Sequence, residues 1–157
     1  MQLDKLSYRL YIMNDMKSIN DIQNEIIEEF AGFDDWMDKY SLIMDMAASL
    51  EPLADEYKND SNLIEGCQSR VWLQADYVDG NIIFKGDSDA LIVKGIVAML
   101  INTLSGHTPK EILESELYFI EEIGLKENLS PTRSNGLASM VKQMKLYALA
   151  FETKNNK

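Results

Sequence analysis

Thiol and imidazole are scarce in this chain of 157 residues, which has one cysteine, Cys67, and one histidine, His107. A lone cysteine excludes an intramolecular disulfide, so nothing calls for an oxidising compartment. One Cys and one His cannot assemble a zinc site of the usual Cys/His kind. Basic residues are in deficit as well, 15 Lys and Arg against 26 Asp and Glu, for a net charge of −11. That balance argues against nucleic acid, whose phosphates must be neutralised by lysine and arginine, and against anionic membrane surfaces. Long apolar runs are also missing. The longest, Ala90–Val93 and Ile96–Ile101, are separated by Lys94 and Gly95 and fall short of the roughly 20 residues of a membrane span. Met1–Ser18 carries Asp4, Lys5, Arg9, Asp15 and Lys17, so it lacks the apolar core of a signal peptide. The expected location is cytoplasmic.

What remains is ordinary for a globular protein: 46% hydrophobic and 26% charged residues. A chain of this length fits one domain, burying about 68–70% of the surface it exposes when unfolded. We place that domain at 18–153, after an N-terminal extension at 1–17 (a docked helix or a mobile arm) and before a frayed tail at 154–157.

From Ser18, Ile22, Ile26, Phe30 and Phe33 recur at helical spacing until Gly32 interrupts. A second helix from about Asp34 aligns Trp36, Tyr40, Ile43, Ala47 and Leu50, and the two together read as a helical hairpin. Asp34, Asp35 and Asp38 suit the positive end of the second helix's dipole better than a metal. Glu51–Asn62 is a polar loop. The period then changes to two, with Val71, Leu73, Ala75 and Tyr77 on one face and a return strand at Ile82–Gly86. Asp79-Gly80 between them is a type I′ turn signal.

Asp87-Ser88-Asp89 offers N-cap oxygens to a helix that is apolar nearly all round through Ile101 and stops by Gly106. Thr108, Pro109 and Glu111 start a short helix with a capping box. Leu117–Ile123 supplies another, and Ser130-Pro131 opens a last one. That helix turns Leu137, Met140, Val141, Met144, Ala148 and Phe151 inward, with Lys142 and Lys145 outward.

Cys67 stands in Gly66-Cys67-Gln68-Ser69-Arg70, where a loop feeds the first strand. Cations favour the nucleophilic thiolate, and Arg70 is three residues away. His107 raises the idea of a Cys-His hydrolase, but its place between a C-cap glycine and an N-cap threonine is that of a solvated linker residue.

Three stretches in order make the chain resemble the SufE family of sulfur acceptors in iron–sulfur cluster assembly. They are Gly66-Cys67-Gln68-Ser69 with Val71-Trp72, Gly86-Asp87-Ser88-Asp89-Ala90 before Lys94-Gly95, and Ser130-Pro131-Thr132-Arg133-Ser134-Asn135-Gly136. Phe33-Asp34-Asp35-Trp36 with Lys39-Tyr40 is similar to the family's first helix pair, and the likeness spans about Ile19 to Phe151. It implies an α+β fold, a small antiparallel sheet covered by helices and shared with IscU-type scaffolds. It also implies a role. Cys67 would take persulfide sulfur from a SufS-type cysteine desulfurase, stimulate it, and pass the sulfur to a SufBCD-type scaffold complex.

On this reading the protein is an accessory, not an enzyme, and has no cofactor beyond a transient Cys67 persulfide. Pyridoxal phosphate belongs to the partner. Gly66, Gln68, Ser69, Arg70, Asp87, Asp89 and Arg133 fall in the matched motifs as acceptor-site support or partner-binding residues. Having no second cysteine prevents intramolecular loss of the sulfur as hydrosulfide. The alternatives are an IscU-type scaffold, which normally needs several cysteines, and a helical adaptor with Cys67 incidental.

Overall fold

A computed structural model describes residues 17–155. Its centre is set by the stretch with the fewest polar interruptions. Helix α3, Leu91–Leu104, buries Ile96, Val97, Met99, Leu100 and Leu104 almost completely. Each such side chain contributes about 1.5–3 kcal/mol on leaving water. Helices α1 (Ile19–Ala31) and α2 (Trp36–Ala48) precede it, and strands β1 (Val71–Val78) and β2 (Asn81–Ser88) form an antiparallel pair that packs on it through β2. The short α4 (Pro109–Glu114) and α5 (Phe119–Glu122) lead to the long α6 (Pro131–Asn155). The architecture is α+β, a two-stranded sheet with six α-helices among the described residues. No helix among them is long and apolar enough to cross a membrane.

Local signals produce the ends of these elements. Ser18 caps α1 in a reciprocal box with Asp21, and Thr108 does the same for α4 with Glu111. Asp79 and Gly80 both take positive φ, 51° and 86°, closing the hairpin in two residues. Tyr77, at the exposed end of β1's inward face, stacks on Phe151 of α6 with ring centroids 5.3 Å apart.

Several expectations are corrected. α1 and α2 do not form a hairpin against each other; α2 lies along α3, and α1 packs on α3 and α5. Helix α1 ends at Ala31, leaving Phe33 exposed. The α2–α3 crossing is unusually close: a Cβ on Gly95 would stand 2.2 Å from the Ile43 carbonyl oxygen. The apolar stripe of α1 also hides a polar residue. Gln23 is buried, its amide donating to the Glu116 carbonyl while its oxygen accepts from the Phe119 amide.

His107 is buried, not solvated, because its chain segment joins the edge of β2: the Ile82 amide donates to the His107 carbonyl at 2.9 Å. Its ring nitrogens face the carbonyls of Leu104 and Lys17. Lys145, expected outward, is half-buried and donates to the Ser115 carbonyl just past the end of α4. The last helix continues through Asn155, past the expected boundary at 153. The extension at 1–17 falls outside the described residues except for Lys17, which pairs with Glu25 at 2.9 Å.

Gly95→Ala tests the tight crossing. Overpacking of this kind costs about 1–3 kcal/mol, so the urea midpoint should fall while the slope of the transition stays unchanged.

Candidate functional site

Cys67 sits on a closed excursion of the chain. At its neck the Ile64 amide donates to the Val71 carbonyl at 2.8 Å, and Leu63 bridges Trp72. Residues 65–70 lie outside the neck. Gly66 makes the bend with φ 89°, where an added Cβ would also come within 2.7 Å of the Ser139 hydroxyl on α6. The loop therefore lies directly across that helix.

Half-buried there, the Cys67 Sγ stands 3.6 Å from the Gly136 carbonyl oxygen, toward which its S–H donates. A Cβ on Gly136 would be 3.3 Å from the sulfur, so glycine lets the sulfur lie almost on the helix backbone. Burial pushes the thiol pKa above its ordinary value. At neutral pH the resting group is a thiol, and the cation-assisted thiolate suggested by Arg70 is not what the fold builds. His107 does not approach it, being engaged with Leu104 and Lys17.

The Asp87-Ser88-Asp89 stretch has a different task from the helix cap expected of it. Asp87 and Ser88 belong to β2, and the α3 cap position falls to Ala90 with no side-chain bond. Strand pairing runs from Val78↔Asn81 to Val71↔Ser88, so Arg70 and Asp89 come next in register. There the Asp89 amide donates to the Arg70 carbonyl at 3.2 Å, while the Arg70 amide turns to the Asp89 carboxylate at 3.0 Å. The Ser88 hydroxyl adds a bond to the Arg70 carbonyl at 2.8 Å. Together these clamp the outgoing end of the loop by its backbone.

Asp87 is buried and anchors the layer beneath. Lys94 and Lys58 each reach its carboxylate at 3.3 Å, and the Ser88 amide donates at 2.8 Å. Burial alone would raise its pKa, but the Ser88 bond and the two lysines prevail and lower it. A depressed carboxyl pKa contributes stability at neutral pH that is lost only as pH falls below about 4 toward the folded value. Lys58 also lies over the Trp72 ring, 5.9 Å from its centroid, and so ties the 51–62 segment to the sheet.

The remaining expected site residues are near but less engaged. Gln68 is exposed and Ser69 half-buried, and neither side chain makes a hydrogen bond among the described residues. Arg133 is exposed, with its amide bonded to the Ser130 hydroxyl. It precedes Gly136 by three residues, on the helix face that meets the loop. Among the described residues neither Arg70 nor Arg133 forms a salt bridge, and no three His, Cys, Asp or Glu side chains converge to hold a metal ion. Gly136, Ser139 and Lys58 were not singled out by sequence reasoning. Gly136 lay within a noted motif, whereas nothing local to Ser139 or Lys58 signals their partners.

Residues 24–148 match the SufE family, described as an Fe-S metabolism associated domain. An uncharacterised SufE-like protein of Synechocystis is 41% identical over 82% of this chain and 80% of its own length. One from Rhizobium etli is 42% identical over 78% and 86%. SufE-like protein 1 of Arabidopsis thaliana, designated chloroplastic/mitochondrial, is 37% identical over 83% of this chain but only 35% of its own length. In fold, the solution structure of a hypothetical protein from Thermus thermophilus superposes with a TM-score of 0.70 at 21% identity, covering 84% of this chain and 96% of that one.

Alkylation of Cys67 reports directly on the loop. In the wild type the rate should rise with pH through and beyond about 8.5, the usual thiol value. Asp89→Ala removes the acceptor for the Arg70 amide, so alkylation should be severalfold faster at neutral pH and its midpoint lower. Global stability should fall by only about 1 kcal/mol, as for loss of one hydrogen bond.

Proposed function

The chain belongs to the SufE family, and from that membership and the setting of Cys67 we propose that it carries sulfur on that residue. The donor is the active-site persulfide of a SufS-type cysteine desulfurase, and the recipient is a SufBCD-type iron–sulfur scaffold complex. One observation carries the reading. The protein's only thiol rides on a loop that is pinned by backbone bonds at both ends and rests lightly on a glycine between them.

The exchange balances without an external oxidant or reductant. Cys67 loses its proton and its thiolate attacks the terminal sulfur of the donor's Cys–S–SH. The donor's sulfur–sulfur bond breaks, the donor cysteine leaves as a thiolate and takes up a proton, and Cys67 becomes the persulfide. The same steps in reverse roles deliver the sulfur onward. Burial suits the resting state, since a thiol held above its ordinary pKa resists stray oxidation and alkylation. Lifting the loop off α6 removes the cause of that shift, so reactivity is gained when a partner draws the loop out. By drawing sulfur off the donor cysteine, the acceptor also stimulates the desulfurase. Pyridoxal phosphate remains the desulfurase's cofactor.

Arg133 has a place in the same scheme. A cation in the first turn of α6 opposes the helix dipole, and Arg133 has no ion pair among the described residues to compensate. We assign it to the partner, on the face from which Cys67 emerges.

Cys67→Ser should fold with nearly wild-type stability yet take up no label from radioactive cysteine and a desulfurase. Labelling of the serine variant at the wild-type level would end the acceptor reading in favour of an adaptor with an incidental thiol. Arg133→Ala should keep its melting temperature within about 2 °C, as exposed substitutions do, while sulfur transfer or desulfurase binding falls. A clear loss of melting temperature with unchanged transfer would make Arg133 structural.

A further inference from the structure

One surface beside the site is not explained by the clamp or the thiol. A groove of about 450 Å³ runs between residues 60–65 and α6, lined by Asp60, Leu63, Glu65, Lys142, Leu146 and Tyr147 among others. Two of its apolar groups are open to solvent: Leu63 is 36% exposed and Leu146 is 46%. Exposed leucines on both walls of one channel, beside Tyr147, make an apolar patch of the kind that marks an interaction site.

The loop wall carries two carboxylates, Asp60 and Glu65, and the helix wall one cation, Lys142. The segment leading into that wall, 51–59, adds Glu51, Asp55 and Glu56 against a single cation, Lys58. That lysine is drawn away to Asp87 and Asp55. Among the described residues Glu51, Glu56, Asp60 and Glu65 have no ion pair.

We infer that this groove is the docking site for a segment of the sulfur donor that sets an apolar side chain beside lysine or arginine. The apolar group would fill the space between Leu63, Leu146 and Tyr147, and the cation would meet the carboxylates of the loop wall. The inference rests on the proposed acceptor role. It adds a coupling to that role, because the groove's wall is the incoming arm of the Cys67 loop. The groove ends where Gly66 crosses Ser139. An occupant wedged there bears on the neck at Ile64 and on the loop's seat against α6, so docking and release of Cys67 draw on the same contacts.

The test is titration with a purified cysteine desulfurase that binds the wild-type protein. Leu146→Glu should weaken binding at least tenfold, and the pair Asp60→Lys with Glu65→Lys severalfold at low salt, with a flatter salt response. Met37→Glu should bind as wild type, since Met37 is equally apolar and 70% exposed but lies on α2 outside the groove. In the free Leu146→Glu protein Cys67 should alkylate at the wild-type rate, separating loss of docking from damage to the thiol. Binding of Leu146→Glu within twofold of wild type, or an equal loss in Met37→Glu, would overturn the docking site. Neither result touches the acceptor reading, which depends instead on whether Cys67→Ser takes up sulfur.

Discussion

The missing side chain at Gly136 is the constraint on which the resting state of this protein depends. It lets a loop sulfur come to 3.6 Å from a carbonyl oxygen of a neighbouring helix. Even a methyl there would stand 3.3 Å from the sulfur, so the loop would have to give by a few tenths of an ångström, and a larger side chain would demand more. Desolvation then follows from geometry, and the raised thiol pKa follows from desolvation. The contact is weak in itself, a thiol donor on a carbonyl that is already part of a helix. A weak seat with firm hinges is what the proposed release of Cys67 requires, since the loop could then lift without unfolding anything else.

The hinges are firm because a buried carboxylate organises the layer beneath them. Asp87 gathers Lys94 from α3 and Lys58 from the segment ahead of the loop, so the end of β2, the start of α3 and that segment are tied to one side chain. Two lysines and a backbone amide offset its burial, and such a group leaves little room for substitution. The Cys67 loop stands on this buried polar cluster.

Signals that act over three or four residues were legible in the sequence. The Ser18 and Thr108 caps, the Asp79-Gly80 turn and the apolar α3 all occur where their local chemistry places them. So does the loop that holds Cys67, since glycine before it and strand alternation after it are local facts. What could not be read depends on partners distant in the chain. His107 is buried because its segment bonds to Ile82, Lys145 turns inward to carbonyls 30 and 32 residues back, and Asp87 meets Lys58 from 29 residues earlier. Asp87-Ser88-Asp89 was misread for the same reason: cap chemistry and strand-end chemistry use the same residues. Only the register with Arg70 separates them.

The hairpin's register has a further consequence. Strands β1 and β2 are both eight residues long and joined by a two-residue turn, and their paired positions run without a bulge from the turn to Val71 and Ser88. The hairpin therefore works as a ruler: the clamp on Arg70 closes only because both arms count out the same length from Asp79-Gly80. One residue gained or lost in a single arm would bring Asp89 opposite a different partner and turn its side chain to the other face. The lesion would be at the far tip, some eight residues from the loop it disarms. Two residues added to each arm would keep the count and the facing. In this fold length is constrained in pairs, and the tolerance of the hairpin to change is one of arithmetic before it is one of composition.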